Sequence, residues 1–240
     1  MHKSSDIFIG LMSGTSLDGA DAVACRFKDS SVEFLSHAHL PYSVSLRKSL
    51  LSLLKPGEDE INRCGRTGIQ LAHFYAQVVR KLLAQMNLSA DEVNAIGVHG
   101  QTIRHCPESG FTVQLNNPAL LAELTDIDVI ADFRSRDMAA GGEGAPLVPA
   151  FHACVFSATT PRAIVNIGGI ANITLLNGKD VLGFDCGPGN TLMDIWVQKH
   201  CGLFFDENGR WAMKGKVIPE LLDALLTLSL IHISEPTRLA

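Results

Sequence analysis

The chain has 240 residues, 46% hydrophobic and 19% charged, with 20 Lys and Arg against 25 Asp and Glu for a net charge of −5. That length supports a sizeable core without disulfide or metal staples, and a mildly acidic chain with no basic block argues against nucleic acid as a partner. The six Cys (25, 64, 106, 154, 186 and 201) form no Cys-x-x-Cys pair, so neither a zinc ribbon nor a disulfide scaffold is indicated, and no apolar run reaches the ~20 residues of a membrane span.

In chain order, residues 7–11 and 20–27 are strand-like runs flanking a polar glycine turn, which predicts a hairpin. Residues 32–40 read as a third strand. Residues 43–54 read as a helix closed by Lys55-Pro56-Gly57. Ile69, Ala72, Ala76, Val79, Leu83 and Met86 recur at spacings of three and four, predicting a helix with one apolar core stripe. Residues 95–98 predict a strand that leads into His99-Gly100-Gln101-Thr102. A short strand at 113–115, a helix at 118–124 and a strand at 129–131 follow. Residues 132–146 read as a long polar loop and 147–156 as a helix.

From Ala163 the plan restarts. Residues 163–167, Gly168-Gly169 and residues 170–176 repeat the strand, glycine turn, strand design of residues 7–27. Residues 181–184 predict a strand ending at Asp185, with Asn190 as N-cap of a helix over 191–199. Residues 219–228 predict a last amphipathic helix. Alternating strands and helices imply an α/β chain with two related lobes around a cleft, the first over 1–160 and the second starting over 161–228.

Four places could carry chemistry. Gly14-Thr15-Ser16-Leu17-Asp18-Gly19-Ala20-Asp21 has glycines that let backbone N–H groups approach an anion, hydroxyl donors, and carboxylates able to hold Mg²⁺ or its waters. It lacks the lysine of a P-loop and reads equally as a polar hairpin turn. Asp185, at a strand's carboxyl end, reads as a proton acceptor or as a turn cap. The 132–146 segment brings Asp132, Arg134 and Arg136 together, either to fork onto oxyanions and sugar hydroxyls or as a solvated loop. His99, His105 and Cys106 form too loose a trio for zinc, and His37 and His39 share a strand face without an obvious partner.

Six motifs occur in one order. They are Met12-Ser13-Gly14-Thr15-Ser16-Leu17-Asp18-Gly19-Ala20-Asp21, His99-Gly100-Gln101-Thr102, Asp132-Phe133-Arg134, Gly144-Ala145-Pro146-Leu147-Val148-Pro149, Asn166-Ile167-Gly168-Gly169-Ile170-Ala171-Asn172 and Asp185-Cys186-Gly187-Pro188-Gly189-Asn190. Together the set closely resembles the anhydro-N-acetylmuramic acid kinases. The resemblance implies an actin-like fold of two ribonuclease-H-like lobes that clasp ATP. It implies hydrolytic opening of 1,6-anhydro-N-acetylmuramic acid and phosphorylation of O6, giving N-acetylmuramate 6-phosphate in bacterial cell-wall recycling.

Residue by residue, Gly14 to Asp21 match the family's ATP phosphate loop and Asp185 its catalytic base. Gln101, Asp132 and Arg134 stand in motifs near the sugar. Mg²⁺ is implied with ATP, its ligands unassigned. A homodimer in the cytoplasm, without membrane or nucleic-acid partners, is implied as well. The competing reading is an ATP-driven activator or binding protein of the same fold, or an inactive fragment.

Two departures stand out. Asn116-Asn117 replaces a family glycine. The family's later glycine-rich segment is also missing, and residues 228–238 read as translated sequencing adapter, so a second lobe cut short with a non-native tail over 229–240 is expected.

Overall fold

The computed structural model describes residues 5–28, 31–227 and 237–238. The chain forms two compact units, 1–144 and 145–240. The first unit opens with a meander of β1 (Ile7–Met12), β2 (Gly19–Lys28) and β3 (Ser31–Pro41), paired antiparallel in sequence. Helices α1 (Val44–Leu53) and α2 (Glu60–Met86) follow, then β4 (Ala95–Val98) parallel to β1. A separate hairpin of β5 (Gln101–Cys106) and β6 (Phe111–Leu115) precedes α3 (Pro118–Thr125). Strand β7 (Asp128–Ile130) then pairs parallel to β4, and α4 spans Phe133–Ala139. The five-stranded order β3-β2-β1-β4-β7 is that of a ribonuclease-H-like sheet.

Alternation explains the core of this unit. Ile7, Ile9 and Leu11 of β1 and Ala20, Ala22 and Ala24 of β2 point to one buried face. The alanines leave room for α1 (Leu46, Leu50, Leu53) and α2 (Leu71, Tyr75, Val78, Leu82), which bury their apolar sides there. Helix α2 is longer than its sequence stripe suggested and is rotated from it. Ile69 is 47% exposed, whereas Leu71, Phe74, Tyr75, Val78 and Leu82, outside the stripe, are buried. A broad face built on Leu71, Tyr75, Val78 and Leu82 joins Ala72, Ala76 and Val79, because the helix lies flat on the sheet.

The second unit begins with α5 (Val148–Phe156). A meander of β8 (Arg162–Ile167), β9 (Ile170–Asn177) and β10 (Asp180–Pro188) follows, then α6 (Thr191–Cys201), α7 (Pro219–Thr227) and β11 (Thr237–Arg238) on the far side of β10. Both units thus open their sheets with a glycine-turn hairpin, the repeat visible in the sequence. The units divide at Gly144 rather than near residue 160, because α5 packs on the second sheet. Pro149 lies on Gly183, where a Cβ would overlap the proline ring, and His152 Nδ1 sits 2.9 Å from Thr174 Oγ1.

Other differences from the sequence reading are local. Residues 133–139 are helical, not loop. The segment has no apolar period to announce a helix; it is held by Phe133 against Gly97 and by the Asp137 carboxylate accepting the Gly144 N–H at 2.8 Å. Strand β10 continues past Asp185 through a bulge to Pro188. Of the expected tail at 229–240, Thr237 and Arg238 pair with Gly183 and Leu182, and the rest lies outside the described residues. No helix among the described residues is long and apolar enough to cross a membrane.

Candidate functional site

In the first unit the candidate site is built on the β1–β2 turn. Gly14 and Leu17 close it, the Leu17 N–H donating to the Gly14 carbonyl at 3.3 Å. Leu17 has φ +54°, a left-handed value unusual for leucine, and is 2% exposed. Burial of its side chain and the Arg47 Nε bond to its carbonyl (3.0 Å) offset that strain. Gly19 is required sterically, since a Cβ there would overlap the Leu40 carbonyl oxygen. Leu17, Gly19 and Ala20 therefore shape the loop, while Thr15, Ser16 and Asp18 are exposed at its tip. Ser16 Oγ donates to Asp18 Oδ1 at 2.8 Å.

Asp21 stands apart on β2. One carboxylate oxygen bonds His37 Nε2 at 2.8 Å and His39 Nδ1 at 3.1 Å, supplying the partner the sequence did not show for that histidine pair. Pairing of β2 with β3 puts Asp21 opposite His39.

The motif after β4 meets this loop from the other side. Gln101, fully buried, donates from Nε2 to the Gly14 carbonyl at 3.0 Å and accepts from the Tyr42 hydroxyl at 3.1 Å. Ser13 Oγ lies 2.6 Å from the Tyr75 hydroxyl and donates to the Gly100 carbonyl at 3.4 Å. Burial pushes the Tyr75 phenol well above its ordinary pKa, so it stays neutral. The contacts of Ser13, Tyr42 and Tyr75 were invisible to the sequence reading, because elements far apart in sequence bring them together.

His99 and Arg134 form the third element. Arg134 Nε donates to His99 Nε2 at 2.8 Å, and His99 Nδ1 bonds the Gly100 carbonyl at 2.7 Å. Burial, then the Arg134 charge, lower the His99 pKa. The neutral ring with its proton on Nδ1 satisfies both bonds. Arg134 Nη1 also donates to the Gly144 carbonyl at 3.2 Å. Asp132 is exposed and left-handed, with φ +65°, at the start of α4. His105 instead meets Thr112 Oγ1 at 3.2 Å, and among the described residues no group of three or more His, Cys, Asp or Glu is placed to hold a metal ion.

The Asn pair at 116–117 has a structural use. The Asn117 side chain caps α3, accepting from the Leu120 N–H at 3.1 Å, and Asn116 Oδ1 accepts from the Asn117 N–H at 2.9 Å.

In the second unit, the Gly168-Gly169 turn holds the segment after β10. The Gly189 N–H donates to the Gly169 carbonyl and the Asn190 N–H to the Gly168 carbonyl, both at 2.9 Å. A Cβ on Gly189 would overlap the Gly168 carbonyl oxygen. Asn190 starts α6 through its backbone, and its side chain makes no capping bond. Asp185 is half-buried at the bulge, in register with Asn172, whose side-chain oxygen is buried without a partner among the described residues. Burial, then the charge on Asp185, push the Cys186 thiol up, keeping it protonated beside that carboxylate.

The tip of the loop suits a polyphosphate. The planar peptide that directs the Gly14 carbonyl inward directs the Thr15 N–H the opposite way, and a Cβ on Gly14 would lie against Ser16 at the loop tip. Thr15, Ser16 and Asp18 offer oxygen atoms suited to a Mg²⁺ that keeps most of its waters.

A family model described as anhydro-N-acetylmuramic acid kinase matches residues 6–237. Curated proteins of that name are similar throughout. The one from Variovorax paradoxus is 53% identical over 92% of this chain, that from Burkholderia ambifaria 54% over 94%, and that from Bordetella petrii 56% over 92%. The chain spans 59–62% of their length. Among solved structures, a reductive activator for a corrinoid, iron-sulfur protein covers 77% of this chain and 30% of its own length at 14% identity and TM-score 0.46. Component A of Acidaminococcus fermentans (R)-2-hydroxyglutaryl-CoA dehydratase covers 89% and 61% at 10% identity and TM-score 0.42.

Proposed function

The chain belongs to the anhydro-N-acetylmuramic acid kinase family, and on that premise we propose that it serves the ATP-dependent opening and O6 phosphorylation of 1,6-anhydro-N-acetylmuramic acid. The observation that carries the reading is the β1–β2 turn, whose Gly14 carbonyl is tied inward so that Thr15, Ser16 and Asp18 face solvent. In this reading residues 14–18 hold the phosphates, and Gly19 to Asp21 anchor the loop to β2. ATP would supply the γ-phosphoryl group, and Asp18 with Thr15 and Ser16 would hold the Mg²⁺ that offsets its charge.

The protein's own residues do the rest. Asp185 takes a proton from water at its carboxylate as the water oxygen bonds to C1. The C1–O6 bond breaks, and O6 takes the γ-phosphoryl group as its bond to the bridging oxygen breaks and ADP leaves. Gly187 follows Asp185 through the β-bulge, and Gly189 lets the chain pass close to the Gly168 carbonyl after the strand ends at Pro188. In this reading Arg134, steadied by His99, and Asp132 bond sugar oxygens; the Arg134–His99 hydrogen bond supports it. The product enters cell-wall recycling. Action as a cytoplasmic homodimer completes the reading.

Incubation with ATP, Mg²⁺ and the anhydro sugar in ¹⁸O-water tests this. The expected product is a phosphorylated sugar with one ¹⁸O on C1 and none in the phosphate. Release of labelled inorganic phosphate without sugar product would overturn it.

A further inference from the structure

Gln101 was expected near the sugar, yet it has no exposed surface. A buried amide is costly unless its polar atoms are bonded, and both functions of Gln101 are spent inside the protein, on Tyr42 and on the Gly14 carbonyl. Next to it, Ser13 is tied to Tyr75 of α2 and to the Gly100 carbonyl. Two adjacent residues of the turn are thus pinned by two adjacent residues of the other motif.

We propose that Gln101 is a positioning residue of the phosphate loop: its amide nitrogen holds the Gly14 carbonyl inward and thereby presents the Thr15 N–H to the anion, with Tyr75 and Ser13 as a second pin. The argument is geometric. Rotation of the Gly14–Thr15 peptide would swap a donor for an acceptor at the loop tip, placing a carbonyl where a phosphate oxygen should bind. The Leu17 N–H also rests on the Gly14 carbonyl, so the same pin fixes the left-handed Leu17. Gln101 touches no ligand in this scheme, which rests on the kinase reading above for the identity of the anion.

The test uses the whole chain carrying Gln101→Met, similar in size but without the amide, and separately Tyr75→Phe. Thr125→Val serves as a control, because its hydroxyl is buried and bonded to the Leu121 carbonyl of α3. Without ligand, hydrogen exchange at the Leu17 amide should accelerate about tenfold or more in Gln101→Met and less in Tyr75→Phe, while the control leaves it unchanged. In titrations, Mg-ATP affinity should fall about tenfold in Gln101→Met while anhydro-sugar affinity holds within twofold. Unchanged exchange at Leu17 in both variants would overturn the strut. Loss of sugar affinity with ATP affinity intact would return Gln101 to the sugar site. If the unmodified chain bound neither ligand, the kinase reading would fail, and the exchange experiment would still decide whether Gln101 holds the loop.

Discussion

At the scale of single residues, function and packing separate cleanly. Asp185→Asn keeps the size of the side chain and removes the proton acceptor, so kcat should fall by about 10²–10⁴ with KM for ATP and sugar little changed. A mutant that melts lower yet keeps its kcat would make Asp185 a turn residue only. Gly19→Ala should destabilise the chain by about 1–3 kcal/mol or more, read from the urea midpoint, because the new Cβ meets backbone rather than a movable side chain. His99 and His152 both carry lowered pKa values, each chiefly through burial. The unfolded chain therefore takes up protons near the ordinary histidine value of ~6.5 before the folded chain does, and stability falls as pH drops below that point. A thermal melt that is flat from pH 7.5 to 5 would refute this. The β1–β2 turn and the strand that carries Asp185 were legible in the sequence because glycine spacing marks tight turns. Ser13, Tyr42, Tyr75 and the burial of Gln101 were not, since nothing local signals a contact spanning 62 or 87 residues.

Among the elements, the long strands and amphipathic helices were read nearly in place, because period two and period 3.6 survive any tertiary context. Helix α4 and the β5 strand were missed: one is short and polar, the other begins in a motif that was assigned no element. Helix α2 shows the limit of a stripe. Sequence spacing placed Ile69 inside and left Leu82 out, whereas the sheet selected the wider face that includes Tyr75 and Leu82. Leu82→Ala should accordingly cost about 2–5 kcal/mol, and Ile69→Ala within about 0.5 kcal/mol. Equal costs in chemical denaturation would contradict the rotation of the helix.

At the scale of the whole molecule, the two units differ in how much they bury. The main hydrophobic cluster runs from Ile7 to Ile127, entirely within the first unit. In the second, Leu176 and Val197 are buried, while Val165, Ile167, Phe204, Phe205 and Leu226 are each more than half exposed. Strand β8 has no partner on its outer edge among the described residues. An uncovered apolar strand edge favours self-association, so light scattering of this chain should rise with concentration, and Val165→Lys should suppress it. Amides of 145–227 should exchange well before those of β1, β2 and α2.

The pairing of β1 with β4 has a consequence in time. Strands β1 to β3 are neighbours along the chain and can zip locally, but the side-chain and carbonyl partners that pin Ser13 and Gly14 from outside the turn lie 62 and 87 residues downstream. During synthesis the hairpin emerges with its turn unfastened, and the turn is fastened only when residues 95–101 dock beside it. Closing so large a loop is slow relative to hairpin formation. Competence to hold an anion is therefore one of the last properties the first unit acquires: in stopped-flow refolding, recovery of nucleotide binding should lag the far-ultraviolet signal of the sheet.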